Sequence, residues 1–423
     1  MVRITRLDNG LTVASVAVPH MVSVSVGFWV GVGGRHEPAR WCGISHFLEH
    51  LLFKGTARRS ARQISQDIEG LGGELNAFTT EEHTCYFSKA LHPHLRDLVD
   101  VLGDMCRWSR LAPADIGTER EVIKEELAMY LDQPHHFVQD LLNETLWPNH
   151  PLGRSLTGTV ETLDGMRRAD LRAYLDRHYQ AGNIWIVAAG RVRHPDLLDA
   201  VAAFARGLPP GQRPAFEPAP PPQSRPRVRH VVRETEQTQL ALGVPTFCRH
   251  DPRRYALRLL STMLGENMSS RLFQTLREER GLVYSVGSAL VLFADAGALT
   301  VSAGLDPGRL PTVLRLILEE FGRFRTCRVG AAELDRARDY LIGQMELSLE
   351  SSNQQMMWMG EQLLDYGRWI SASEIRRRLH EVTPAQVRAA AIECLHPDRL
   401  NLALVSPRAR EPQARRLLAD FPL

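Results

Sequence analysis

The sequence predicts an α+β fold made of two homologous domains, each a mostly antiparallel sheet packed with helices. Three features of the 423-residue chain support this fold class: a proline-rich segment near its middle, an internal repeat on either side of that segment, and strand-like and helix-like patterns mixed within a half. A chain of this length is expected to form two to three domains.

The proline-rich segment is the predicted linker. Residues 207–229 contain eight prolines and very few aliphatic residues. Proline favours extended backbone and cannot be packed into a helix or a central strand. The predicted domains are therefore residues 1–206 and 230–423.

The internal repeat places similar patterns in the two halves. The segments that begin at Ser88 and Val301 each show the end of a strand, a proline-containing turn and an amphipathic helix. The charged helical segment from Pro113 aligns with the one from Ala331. This repeat indicates two domains of one fold that arose by duplication.

Strand patterns are clear in the first half. Apolar residues occupy every second position from 22 to 32, which predicts a half-buried strand. Residues 75–90 predict a second strand, entered through the turn at Gly72 and Gly73. Strands followed by runs of helices favour an α+β sandwich with a mostly antiparallel sheet.

The composition argues against several classes of partner. The chain has 51 basic and 49 acidic residues and a formal net charge of +2, so we expect neither nucleic acid nor a membrane surface as its main partner. Six scattered cysteines without a C-x-x-C pair favour reduced thiols over disulfides or a cysteine-based zinc site. Because no apolar run is typical of a secretory signal or a membrane span, we expect a cytoplasmic protein.

The candidate chemistry follows the first strong strand, in the motif H-x-x-E-H formed by His46, Glu49 and His50. On a helix, His50 would lie about 40° from His46 and Glu49 about 60° to the other side, so all three would point into one volume. Two imidazoles one turn apart are a partial ligand set for Zn²⁺, and a carboxylate beside them can take a proton from water. The motif alone leaves a chance helix pattern open, because a zinc site needs a third protein ligand.

The segment HFLEHLLFKGT resembles the signature of the pitrilysin/insulinase family of zinc peptidases, especially the β subunit of the mitochondrial processing peptidase and its bacterial relatives. The third ligand of that family is a glutamate in a motif similar to E-R-x-V-I-x-x-E, which this chain has at residues 119–126. The resemblance implies that Glu126, 76 residues beyond His50, binds the metal with His46 and His50. It implies that Glu119 supports the ligands. Either glutamate alone would suggest only a solvated acidic helix face.

Two further stretches carry the resemblance. Residues 73–84 are similar to the family strand that pairs with extended substrate. The substrate-contact residues it implies are Asn76, Ala77, Phe78 and Thr79. The stretch from Ser269 is similar to the signature of the family's C-terminal half, and Arg277 and Tyr284 have the spacing of an Arg/Tyr pair near the substrate carbonyl. Donors in that position would stabilise a developing oxyanion.

The second half of the chain lacks the predicted metal ligands. At the offset of the repeat, Glu119 corresponds to Ala337 and Glu126 to Gln344, and no H-x-x-E-H occurs in the second half. The N-terminal domain is therefore the predicted catalytic domain, and we expect one zinc ion per chain. Cys42 lies one helical turn before His46 and could approach that ion, but we favour a packing role for it.

These features predict a zinc-dependent endopeptidase acting on extended peptides or unfolded protein segments, with Glu49 as the general base on zinc-bound water. Family members enclose substrate between four such domains, so the resemblance implies a dimer chamber. A homodimer is favoured because this chain carries both the metal set and the Arg/Tyr pair, with a heterodimer with a paralogue as the alternative. The alternative functions are a subunit that is active only with a paralogous partner and a non-catalytic scaffold subunit.

Overall fold

A computed structural model describes residues 1–221, 223–408 and 411–419. The strands, numbered in chain order, are β1 Val2–Arg6, β2 Thr12–Ala17, β3 Ser23–Val30, β4 Glu74–Thr79, β5 Thr84–Leu91, β6 Ile184–Gly190, β7 Arg227–Val232, β8 Thr238–Thr246, β9 Val283–Leu292, β10 Gly297–Leu305 and β11 Asn401–Ser406.

The helices are numbered in the same way. They are α1 Ile44–Leu52, α2 Ala61–Glu69, α3 Leu95–Trp108, α4 Pro113–Asp132, α5 Pro134–Leu146, α6 Val160–Gly165, α7 Arg168–His178, α8 His194–Ala205, α9 Arg254–Ser261, α10 Leu310–Thr326, α11 Ala331–Ser348, α12 Ser352–Tyr366, α13 Ala372–Glu381, α14 Pro384–Cys394 and α15 Glu411–Ala419. Two further segments, Thr262–Glu266 and Phe273–Glu278, are π-helical. None of the described helices has the length and apolar character needed to span a membrane.

The chain forms two compact units, each with one sheet and its own helices. Unit 1 comprises Met1–Ala128, Arg154–Glu217 and Leu347–Trp369. Unit 2 comprises Met129–Gly153, Pro218–Glu346 and the described residues from Ile370 onward. This architecture confirms the predicted α+β class.

The two sheets share one topology. The strand order is β1-β2-β6-β3-β5-β4 in unit 1 and β7-β11-β8-β10-β9 in unit 2. Neighbouring strands are antiparallel except for β2 with β6 and β7 with β11, which are parallel pairs at equivalent places. The first sheet therefore repeats the order of the second, with β1 as an additional edge strand.

The two units are not two continuous halves of the chain, because each half contributes one helical segment to the unit formed mainly by the other half. Residues 129–153, which include α5, belong to unit 2, and residues 347–369, which include α12, belong to unit 1. The predicted domains 1–206 and 230–423 do not contain this exchange. An amphipathic pattern shows that one face of a helix is buried, but it does not identify the sheet that buries it.

The predicted linker, residues 207–229, begins as part of unit 1. Its residues as far as Glu217 belong to that unit. The carbonyl of Pro209 accepts a hydrogen bond from the backbone N–H of Ala181 at 2.9 Å. The guanidinium group of Arg35 lies 3.9 Å from the centroid of the Phe216 ring. Extended proline-rich backbone here runs over a domain surface.

Strand β3 is buried on both faces, so the prediction of a half-buried strand was wrong. The valines face a core that includes α1, α3 and α8, while Ser25 and Trp29 on the other face are also fully buried. Helix α12 covers this second face through Met356 and Met359. The small residues Ser23, Ser25 and Gly27 lie on the second face, where they leave room for α12 to pack closely.

Residues 75–90 form a hairpin and not the single predicted strand. Strands β4 and β5 are joined at Thr80–His83, where the Thr80 N–H donates to the His83 carbonyl at 2.8 Å and Thr80 Oγ1 accepts from the His83 N–H at 3.1 Å. The turn contains no glycine or proline, so the usual sequence signal for a turn is missing. The hairpin makes β4 an edge strand of its sheet.

Candidate metal centre and active site

Helix α1 presents the three polar residues of the motif on one face. The opposite face is buried in the core of unit 1 through Ile44, Phe47, Leu48, Leu51 and Leu52. His46, Glu49 and His50 are partly buried. Because the apolar residues recur at helical spacing and anchor one face, the motif residues point away from the core.

The start of α1 is capped from outside the helix. Gly43 occupies the N-cap position and has no side chain to offer. The buried carboxylate of Glu37 accepts hydrogen bonds from the Gly43 N–H at 2.7 Å and from the Ser45 N–H at 2.8 Å. Burial raises the pKa of Glu37 to about 7, although both hydrogen bonds favour its charged form. A carboxylate at a helix N-terminus also interacts favourably with the helix dipole.

A distant glutamate meets the two histidines. Glu126 Oε2 lies 3.7 Å from His46 Nε2 and 3.6 Å from His50 Nε2. One ligand atom from each of the three residues lies within 4.8 Å of the others. Burial and the neighbouring His50 lower the pKa of His46 to about 4, so this imidazole is neutral, as a metal ligand must be.

Glu119 and Lys54 orient the second histidine. His50 Nδ1 donates to Glu119 Oε2 at 3.2 Å, and Lys54 Nζ lies 2.7 Å from the other oxygen of the same carboxylate. Glu119 is almost fully buried. Because the carboxylate accepts at Nδ1, the lone pair of His50 is on Nε2, the nitrogen that faces Glu126.

This donor set fits a zinc ion. Two neutral imidazoles and one carboxylate are protein ligands of known catalytic zinc sites. Ligand atoms on one tetrahedral zinc are separated by about 3.3 Å, close to the two distances that join Glu126 to the histidines. Glu125, its neighbour in the sequence, is exposed. Of these two adjacent glutamates, only Glu126 belongs to the cluster.

Glu49 lies beside this cluster and is held by the edge strand. Thr79 Oγ1 donates to Glu49 Oε2 at 2.6 Å. Burial raises the pKa of Glu49 above its ordinary value, and the charge of Glu126 acts in the same direction. The hydrogen bond from Thr79 and the proximity of His50 oppose the rise. A carboxylate with a raised pKa is suited to accept and return a proton near neutral pH.

Strand β4 lies next to α1 and pairs on one side only. Among the described residues, no strand pairs with its outer edge. The Ala77 N–H donates to Asn76 Oδ1 at 2.8 Å. The Phe78 ring packs edge-to-face on Trp29, with 5.7 Å between the ring centroids, in the layer beneath α12. The outer edge of β4 is therefore open to a further strand once the Asn76 side chain releases the Ala77 N–H, whereas the Phe78 side chain is used in packing.

Two family models match consecutive parts of the chain. The family model described as Insulinase (Peptidase family M16) matches residues 12–160, and the one described as Peptidase M16 inactive domain matches residues 165–341. An uncharacterized zinc protease of Mycobacterium leprae is 40% identical over 412 residues, which cover 96% of this chain and 92% of that protein. The chain belongs to the insulinase family of peptidases, family M16.

Membership of the M16 family confirms the family predicted from the two motifs. An uncharacterized zinc protease of Bacillus subtilis is 35% identical over 412 residues, covering 97% of this chain and all of that protein. The crystal structure of a Helicobacter pylori protease has a TM-score of 0.91 at 22% identity, covering 96% of this chain and 100% of that one. A Pseudomonas fluorescens structure described as a peptidase M16 inactive domain has a TM-score of 0.88 at 20% identity, covering 96% and 98%. At these identities the solved structures show the M16 fold.

Arg277 and Tyr284 lie in unit 2 and contact each other. The Arg277 guanidinium lies 5.8 Å from the centroid of the Tyr284 ring and 5.0 Å from that of Phe273. Both side chains are exposed, and Tyr284 is 76% exposed to solvent. The two residues of the predicted pair are therefore neighbours, with Arg277 in the π-helical segment Phe273–Glu278 and Tyr284 in β9.

Cys42 is used in packing. Its Sγ donates to the Ser155 carbonyl at 3.4 Å, and burial raises the pKa of the thiol to about 12. It does not belong to the group of His46, His50 and Glu126.

Three residues of the site were not predicted in the roles that they have. Thr79 stays a predicted substrate contact, and its hydroxyl also donates to Glu49, a role that was not predicted. Lys54 is one of only three lysines in a chain with 51 basic residues, a signal that could have singled it out. Glu37 gave no signal, because a cap six residues before an N-cap glycine is outside the usual capping pattern.

Proposed function

We propose that this chain is a zinc-dependent endopeptidase. The observation that carries the proposal is the convergence of two imidazole nitrogens and one carboxylate oxygen within 4.8 Å, with Glu49 on the same helix face. Names of curated relatives from Mycobacterium leprae and Bacillus subtilis as zinc proteases support it. One zinc ion per chain is proposed, held by His46, His50 and Glu126.

The residues of the site divide the chemistry between them. A bound zinc ion would polarise the substrate carbonyl and acidify water. Glu49 takes a proton from the attacking water and later passes it to the leaving amine. Thr79 holds Glu49 in place, and Glu119 keeps the lone pair of His50 on Nε2. Arg277 and Tyr284 donate hydrogen bonds to the substrate carbonyl as it gains negative charge.

The proposed substrate is an extended peptide or an unfolded protein segment. Such a chain pairs antiparallel with the outer edge of β4 at residues 76–79. Main-chain hydrogen bonds along a sheet edge give affinity with little demand on side chains. The edge position of β4 and its contact with α1 support this placement.

The proposed assembly is a homodimer whose subunits enclose the substrate. The chain carries both the metal set and the Arg/Tyr pair, so two identical chains supply every group that the mechanism uses. In this proposal, each metal centre receives Arg277 and Tyr284 from the other subunit.

Substitution of the general base tests the activity. Glu49→Gln should retain zinc content and thermal stability but lower the cleavage rate of an unstructured peptide by at least about 100-fold, because proton transfer is lost. Glu125→Gln is the matched control, since Glu125 is exposed on α4, and it should cleave at the wild-type rate. Cleavage by Glu49→Gln at the wild-type rate would contradict the proposed mechanism.

Mixing two inactive variants tests the dimer. Glu49→Gln and Arg277→Ala subunits are each expected to be inactive alone. A mixed dimer contains one centre with an intact Glu49 and an intact Arg277, so mixing should restore cleavage. Mixed dimers without activity, shown to form by mass spectrometry, would exclude sharing between subunits.

A second candidate is a subunit that needs a paralogous partner or serves as a scaffold. The second matching family model, described as an inactive domain, covers residues 165–341, which contain none of the proposed metal ligands, and it leaves this alternative open. Purified chain that binds zinc but cleaves no peptide until a paralogue is added would support the partner-dependent subunit. Absence of zinc binding would support the scaffold.

A further inference from the structure

The loop before α1 is bonded to the turn of the β4–β5 hairpin. The Gly34 N–H donates to the Thr80 carbonyl at 3.1 Å, and the Arg35 N–H donates to the Glu81 carbonyl at 2.7 Å. The Arg35 guanidinium also donates to Glu82 Oε1 at 2.7 Å, and both side chains are almost fully buried. Buried, charge-assisted bonds of this length hold geometry tightly. These bonds therefore join the loop firmly to the hairpin turn.

The same loop also holds the first turn of α1, two residues further along. Gly43 has a φ of 91°, and a Cβ atom at this position would lie 2.7 Å from the Thr157 carbonyl oxygen. Residue 43 must therefore be glycine, and the N-cap position cannot supply its own capping side chain. Glu37 supplies the missing acceptors, one oxygen to the Gly43 N–H and the other to the Ser45 N–H.

Helix α1 and strand β4, the two elements of the site, are therefore connected in two places. On the site side, Thr79 of β4 donates to Glu49 of α1. Away from the site, the hairpin turn is joined through Arg35 to the loop, and the loop is joined through Glu37 to the start of α1. The bonds at the first turn act together with the buried apolar face of α1 to restrain rotation of this short helix about its axis. The directions of His46, Glu49 and His50 depend on that rotation.

We infer that Glu37 is a positioning residue that sets the rotation of α1 about its own axis and the position of α1 relative to β4. The inference rests on the proposed function, because it concerns the same metal ligands and the same base. Glu37 acts through the helix and touches neither substrate nor metal. A cap with only a structural role would change stability alone, whereas a positioning residue changes the metal geometry of folded protein.

Glu37→Gln removes one acceptor at nearly constant volume. A glutamine has a single acceptor oxygen, and its amide group would face one of the two N–H donors. Glu161→Gln is the matched control, because Glu161 is an exposed carboxylate in the first turn of α6, another helix of unit 1. Glu37→Asp keeps the charge but is one methylene too short to reach both donors, and it replaces the glutamine variant if that variant fails to fold.

Amide hydrogen exchange of the metal-free protein tests the anchor without reference to zinc or activity. In Glu37→Gln, exchange of residues 43–52 should accelerate on the order of tenfold, as loss of a helix cap predicts, while other helices of unit 1 exchange as in wild type. Glu161→Gln should leave residues 43–52 unchanged. Unchanged exchange at residues 43–52 in the Glu37 variant, or equal acceleration throughout unit 1, would overturn the inference.

Metal binding and kinetics test the positioning. Glu37→Gln should bind zinc on the order of tenfold more weakly, change the visible absorption spectrum of the Co²⁺-substituted protein, and lower kcat about tenfold or more with KM within about twofold. Wild-type zinc affinity, Co²⁺ spectrum and kcat in folded Glu37→Gln would overturn the inference. Failure of wild-type protein to bind zinc would instead contradict the proposed function, and the exchange experiment would still report on the anchor.

Discussion

The Thr79 hydroxyl donates a hydrogen bond to Glu49 Oε2 at 2.6 Å. This bond joins the edge strand β4 to helix α1 within the candidate active site. The strand proposed to align the peptide therefore also fixes the carboxylate proposed to move the proton. A substrate paired with β4 would be placed relative to the base by a single short contact.

Removal of this hydroxyl should slow catalysis without releasing the metal. In Thr79→Val, which keeps the shape but has no donor, Glu49 loses the bond that orients it, and we expect kcat to fall about 10- to 100-fold. Thr79→Ser restores the donor and should recover most of the rate. Steady-state peptide cleavage and metal analysis check both variants. An unchanged kcat in Thr79→Val would show that the bond does not orient the base.

Glu126 and Glu125 should differ in their effect on zinc. Glu126→Gln replaces the carboxylate that faces both imidazoles, and we expect zinc affinity to fall by at least about 100-fold, more than for loss of a supporting residue. Glu125 is exposed, so Glu125→Gln should bind zinc as wild type does. Competition with a chromophoric chelator measures both affinities. Equal affinities would remove Glu126 from the ligand set.

The buried imidazole of His83 should make the protein sensitive to acid. Burial lowers its pKa from 6.5 to about 4, and the charge of Arg213 contributes. The folded state therefore favours the neutral ring: its contribution to stability is full above pH 6.5 and is lost as the pH falls through 4. Between pH 7 and 4, the free energy of unfolding of wild type should fall by up to about 3 kcal/mol more than that of His83→Gln. Urea unfolding at each pH measures this difference, and parallel curves would contradict it.

Two glycines within helices should respond to alanine with opposite signs. At Gly360 of α12, an added Cβ would overlap the buried indole ring of Trp29, and we expect a loss of about 1–3 kcal/mol. At Gly343 of α11, nothing lies within 4 Å of an added Cβ, and alanine should stabilise by up to about 1 kcal/mol. Urea unfolding of the two variants checks both signs. A neutral Gly360→Ala would mean that α12 packs less closely on β3.

The fold class could be predicted because its signals are local. A run of prolines, an alternating strand and a repeated strand–turn–helix pattern are each visible within about 25 residues. The exchange of residues 129–153 and 347–369 between the units could not be predicted in this way. The apolar face of α12 is evident in the sequence, but the small residues of β3 that receive it lie more than 300 positions away.

From the order of residues alone, His46, Glu49 and His50 can be assigned to one helix face, because the pitch of an α-helix is constant and depends only on local backbone geometry. The family motif then suggested Glu126. Only the packed molecule brings Glu126 to the imidazoles and Thr79 to Glu49. Distances between elements depend on how buried side chains fill the space between them, and no short stretch of sequence contains that information.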